Sequence, residues 1–187
     1  QIDPENNDVF LNKYDAAGNI IFTRRLGATD DGSGFAVAVD GNDNVIIAGQ
    51  ARGALTETAF GGNLDTFVTQ FDSDGQELWT RQAAPFLDDV GLTLTVNSSN
   101  EIFVAGLTRS EIASGEGFGG GDDAFVTKLD SSGTLVYNRQ FGDAGDEQHT
   151  AIAVDSSGNV FLAGTDDGVG FVRRYGDGGP RADASSH

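Results

Sequence analysis

The sequence predicts an all-β chain made of repeated four-stranded antiparallel units, and two observations predict it. Short runs rich in Val, Ile, Phe and Thr are broken throughout by turn signals, the pattern of strands and hairpins. The runs also recur at a fixed spacing. Asp8-Val-Phe-Leu-Asn-Lys-Tyr-Asp15 returns as Asp65-Thr-Phe-Val-Thr-Gln-Phe-Asp72 and as Asp123-Ala-Phe-Val-Thr-Lys-Leu-Asp130, offsets of 57 and 58 residues. A degraded fourth copy is Gly170-Phe-Val-Arg-Arg-Tyr175. A second segment keeps the same offsets: Phe35–Asp40 followed by Asn44–Gly49 matches Leu92–Gly106 and Ala151–Gly164. Two independent segments sharing one spacing mark a true internal repeat. With 3 Pro and no helical period, the chain has no call for helices.

One full unit holds strands a (Phe35–Asp40), b (Asn44–Gln50), c (Asp65–Asp72) and d (Gln76–Gln82). In chain order the elements are c-d (residues 8–26), a-b-c-d (34–82), a-b-c-d (90–141) and a-b-c (149–175). The turns Asp15-Ala-Ala-Gly18, Asp72-Ser-Asp-Gly75, Asp130-Ser-Ser-Gly133 and Asp155-Ser-Ser-Gly158 share one design. Asp caps the turn through its side chain, and Gly takes the positive φ of a bulged hairpin. The middle repeat departs from it, with Asn97-Ser-Ser-Asn100.

Four-stranded units at this spacing are the blades of a β-propeller. The chain holds about three and a quarter of them, whereas closed propellers use 4–8 blades, so the ring or arc is incomplete in one chain. The N-terminal c-d pair is placed to complete a blade begun by another copy's a-b pair. Two chains would then form a six-bladed ring, and a non-closing angle would form a filament. The contact strands would be Val9–Tyr14, through Val9, Phe10, Leu11 and Tyr14, and Gly170–Tyr175, through Phe171, Val172 and Tyr175. An excised fragment and a sandwich-like packing of the same hairpins are the other readings.

The segment Phe118-Gly-Gly-Gly-Asp-Asp-Ala-Phe-Val-Thr-Lys-Leu-Asp-Ser-Ser-Gly133 resembles the bacterial β-propeller repeat known as SBBP, and so does Gly145–Gly164. The resemblance runs over roughly residues 8–175 and is tightest in the third repeat. It implies a bacterial protein, secreted or surface-associated, often part of a longer chain. It implies an architecture and brings no catalytic residues.

The composition narrows the partners. Eleven Lys and Arg against 29 Asp and Glu give a net charge of −18 in 187 residues. So negative a surface repels phosphate backbones and anionic lipid, which argues against nucleic acid. No apolar run approaches the ~20 residues of a membrane helix, which argues against membrane insertion. The absence of Cys excludes disulfides, thiolate metal sites and a Cys nucleophile. With no Met, Gln1 reads as a processed or excised terminus. Residues 176–187 have the Gly, Ser and Asp content of a flexible tail or linker.

Chemistry has few candidates. Asp31, Asp88 and Asp146 align at the repeat offsets, with Asp30, Asp89 and Glu147 beside them. Such carboxylates, near the Gly-rich loops Phe60–Asn63 and Phe118–Gly121, suit a hard cation such as Ca2+; the structural reading is that they cap turns. No cofactor is required. Arg24, Arg81 and Arg139 align behind Phe22, Trp79 and Tyr137, and are expected to pack on the aromatics and pair with carboxylates. His149 has Gly34 and Gly91 as counterparts, unlike a catalytic framework. No nucleophile elbow or nucleotide fingerprint is present, so the chain reads as a non-enzyme. Asn97-Ser98-Ser99 is a glycosylation sequon. The expected function is a secreted structural subunit that self-assembles. The alternative is a calcium-assisted module binding a cell-surface glycan or protein.

Overall fold

The computed structural model describes residues 9–26, 32–52, 55, 64–82, 90–108, 122–141, 147–166 and 168–176. Among them the protein is all-β, with thirteen strands in four antiparallel sheets and no helix. The first sheet pairs β1 (Val9–Tyr14) with β2 (Ile20–Leu26). The second runs β3 (Gly32–Val39), β4 (Val45–Arg52), β5 (Leu64–Phe71) and β6 (Glu77–Gln82). The third runs β7 (Val90–Val96), β8 (Ile102–Thr108), β9 (Asp123–Leu129) and β10 (Leu135–Phe141). The fourth holds β11 (Glu147–Val154), β12 (Val160–Asp166) and β13 (Val169–Tyr175). Every neighbour in a sheet is the next strand in sequence, so each sheet is a meander.

The turns show why the hairpins form where they do. At Asp15 one carboxylate oxygen accepts from the Ala17 and Asn19 amides (2.9 and 2.8 Å) and the other from the Asn19 side chain (2.9 Å). Asp72, Asp130 and Asp155 repeat the backbone part of this pattern. Gly18, Gly75, Gly133 and Gly158 close the four turns with φ between 77° and 85°. In the departing turn Asn100 adopts φ 60°, a conformation Asn tolerates better than most side chains. Its side-chain oxygen accepts from the Gly41 amide of the second sheet at 2.9 Å, so the substitution links two sheets. The sequon residue Asn97 is held as a turn cap by Ser99 and Glu101.

The side-chain amides of Asn19 and Asn159 hold the Asp15 and Asp155 carboxyls below the ordinary Asp range, and the Ser132 hydroxyl does the same for Asp130. A depressed folded-state value stabilises the fold above about pH 4, and that contribution is lost as pH falls through the folded values. Thermal melts between about pH 6 and pH 2 should show a midpoint dropping below about pH 4. A variant carrying Asn at all three positions should show a shallower drop.

The sheets pack face to face in chain order. Ile47, Ala51, Phe67 and Phe71 of the second sheet join Val9 and Leu26 of the first. Ile46, Ala48 and Val68 face the other way, onto Ile102, Val104, Phe125 and Leu129 of the third. Phe103, Ala105 and Val126 in turn meet Val160 and Leu162 of the fourth. β4 and β8 are therefore buried on both faces, which explains their unbroken apolar runs. Among the described residues no core cluster joins the first sheet to the fourth.

Candidate assembly site at the open ends

The repeat fixes what each position should touch, so the ends can be compared with the middle. On strand c, Phe67 and Phe125 lie opposite Gly49 and Gly106 of strand b and are 0% and 3% exposed. Phe171 lies opposite Gly164 and packs on the third sheet. The fourth member, Phe10, is 66% exposed, because β1 pairs only with β2 and its sheet holds no strand b among the described residues. Tyr14, two turns of the pleat further on, is exposed on the same outward face.

Strand a tells the same story. Leu94 and Val96 of β7 pack on the core of the preceding sheet, and Ile152 and Val154 of β11 do likewise. Their repeat equivalents on β3, Val37 and Val39, are 61% and 58% exposed. Among the described residues the preceding sheet holds only β1 and β2 and no strand a to cover them. At the other end β13 is an edge strand, and its outward Val172 is 60% exposed, whereas its equivalents Val68 and Val126 are buried between sheets.

A latch joins successive sheets at the c-d turns. Arg24 lies over the Phe22 ring (5.0 Å), its Nε donates to the Gly75 carbonyl and its Nη2 to that of Asp74 (2.9 Å). Arg81 lies over Trp79 (5.7 Å) and donates to the Gly133 and Ser132 carbonyls (3.0 and 3.4 Å). Gly75 and Gly133 rest against the Phe22 and Trp79 rings, where a Cβ would come within 3.0 Å. The stacking follows the sequence expectation, but the Arg24 and Arg81 heads bind backbone carbonyls, not the expected carboxylates. In the fourth sheet Arg173 does pair with a carboxylate, Asp166, at 2.8 Å. Arg139 lies over the Tyr137 ring at 5.4 Å. Among the described residues the first-sheet turn carries no such latch: a Cβ on Gly18 would meet nothing within 4 Å.

The residues singled out in the sequence divide accordingly. Phe10, Tyr14 and Val172 face outward. Val9 and Leu11 pack on the second sheet, and Phe171 and Tyr175 on the third. The exposed Val37 and Val39 were not among them; their alignment with Leu94 and Val96 was the available signal. Asp30, Asp31, Asp88, Asp89 and Asp146 lie outside the described residues, as do both Gly-rich loops. Glu147 opens β11, opposite Asp166. Among the described residues no three His, Asp or Glu side chains are grouped to hold a metal ion, and no helix is long and apolar enough to cross a membrane.

No family model matches the chain. The regulatory protein FlaEY of Caulobacter vibrioides is 30% identical over 183 residues, an alignment covering 90% of this chain and 19% of that protein. The chain thus spans about a fifth of that relative's length. A crystal structure of a protein of unknown function from Bacteroides caccae has a TM-score of 0.54 at 12% identity, over 96% of this chain and 59% of that one. That likeness is one of fold.

Proposed function

We propose that this chain is a non-catalytic structural module of the propeller-repeat type, whose incomplete terminal sheets are completed by other copies to give a closed ring or an open filament. The carrying observation is the contrast between equivalent positions: Phe10, Val37 and Val39 are exposed where Phe67, Leu94 and Val96 are packed. Exposed apolar faces bordered by unpaired strand edges are sites of strand addition. Light scattering after size exclusion tests the reading. The expected mass is a multiple of 19.5 kDa that falls on dilution. A mass fixed at 19.5 kDa from micromolar to near-millimolar concentration would refute it.

A further inference from the structure

We propose that the second and third sheets hold a hard cation of calcium's size between them, at the end where β4 and β8 finish, bound by oxygens of Gln50, Thr66, Thr108 and Asp123.

The core fixes which way these side chains face. On β4, Ile46 and Ala48 pack on the third sheet, and Gln50 is the next residue on that face. Gln50 lies opposite Thr66 on β5, and Val68, next to Thr66 on the same face, also packs on the third sheet. From the other side, Ile102 and Val104 of β8 and Phe125 of β9 pack on the second sheet. The same alternation continues to Thr108 and Asp123, which lie opposite each other. Four polar side chains thus converge on one end of an otherwise apolar interface.

Gln50 and Thr66 are 5% and 6% exposed, yet Gln50 Nε2 and Thr66 Oγ1 have no hydrogen-bond partner. Buried polar groups are costly when left dry, so such a pair points to a bound species that satisfies it. The fold itself does not demand the polarity. The third sheet carries Leu107 and Ala124 at the same repeat positions and packs on the fourth without a polar pair.

The surroundings select a cation. Asp123 is fully buried, and its Oδ2 accepts from Gln140 Nε2 at 2.9 Å. A carboxylate offers about four lone-pair sites, so that bond leaves room for coordination. A half turn of the Gln50 terminal amide brings its Oε1 to the place of Nε2. The donor set is then one carboxylate, one amide oxygen and two hydroxyls, with water completing the shell. Calcium accepts such mixed oxygens in irregular geometry, whereas magnesium demands a near-ideal octahedron. An anion would meet the Asp123 charge and a chain of net charge −18. Neutral oxygens replace clustered acids here, since among the described residues no three His, Asp or Glu side chains are grouped. The site is separate from the acidic positions singled out in the sequence.

The test gives the second sheet the residues of the third: Gln50→Leu with Thr66→Ala. Thermal midpoints are read at one low protein concentration and fixed ionic strength, with chelator, with Ca2+ and with Mg2+. Ca2+ at about a hundredfold excess over its Kd should raise the wild-type midpoint by about 5 °C. Mg2+ should raise it less, and the double variant should melt alike with Ca2+ and with chelator. Calorimetric titration should find one Ca2+ site in the wild type that the double variant lacks. Thr66→Val, nearly isosteric, serves if the double variant does not fold, and should weaken Ca2+ binding at least about tenfold. A wild type indifferent to Ca2+ overturns the site; a double variant more stable in every buffer would then show that the buried pair is only a penalty. A Ca2+ shift kept in full by the variants also overturns it, because the ion then binds elsewhere or merely screens the acidic surface.

Discussion

Replacing Phe103 with Ala is expected to cost about 3–5 kcal/mol, the range for truncating a buried Phe. The residue sits on β8, fully buried, in the cluster that joins the third sheet to the fourth. Truncation removes the ring from Ala105, Val126, Val160 and Leu162, and both faces of β8 are already filled, so little can move in. It also removes the Phe103 ring from beneath the Lys128 ammonium, 5.3 Å away, while the Tyr137 ring at 5.9 Å and the ion pair with Glu101 at 3.1 Å remain. Set against a typical domain stability of about 5–15 kcal/mol, the loss is roughly a fifth of the total or more. Urea unfolding checks it: the midpoint should fall with an unchanged slope. Phe10→Ala provides the contrast. At a concentration low enough for monomer it should change stability by about 0.5 kcal/mol or less, because its ring is exposed.

Gly49→Ala should be nearly as damaging, at about 3 kcal/mol, the upper part of the range for overpacking. A Cβ there would clash with the Ser33 carbonyl oxygen and press on the Phe67 ring. The first obstacle is backbone and cannot rotate away. The second is a core ring whose displacement would open the contact with the first sheet. The same substitution at Gly170, on the exposed edge strand with nothing within 4 Å, should stay within about 0.5 kcal/mol of wild type. Parallel chemical-denaturation curves decide the matter. Equal losses at 49 and 170 would mean that intrinsic strand propensity, not the Phe–Gly contact, sets the cost.

Much of the architecture was legible because local and long-range signals agree. The Asp-x-x-Gly turns and the Val, Ile and Phe runs between them delimit strands that the structure pairs as successive meanders. The unbroken apolar stretches Val45–Ala48 and Ile102–Ala105 announce burial on both faces. Two things were not legible. The partner of each strand-d Arg was expected to be a carboxylate, since the chain is rich in them. For Arg24 and Arg81 the acceptors are turn carbonyls of the next sheet, and backbone acceptors leave no trace in residue type. The exposure of Val37 and Val39 likewise has no local signature, because their own sequence is that of any strand a. It depends on the neighbouring sheet, which among the described residues holds only β1 and β2. The acidic positions proposed for Ca2+ fall outside the described residues, apart from Glu147.

The serial packing of the sheets has a thermodynamic consequence. Among the described residues each of the two middle sheets packs on two neighbours and each end sheet on one, so free energy accumulates along a line of nearest-neighbour couplings, not around a single centre. A perturbation in the first sheet reaches the fourth only by passing through the two between. Local opening is therefore cheapest at the two extremities, whose backbone hydrogen bonds break first and reform last.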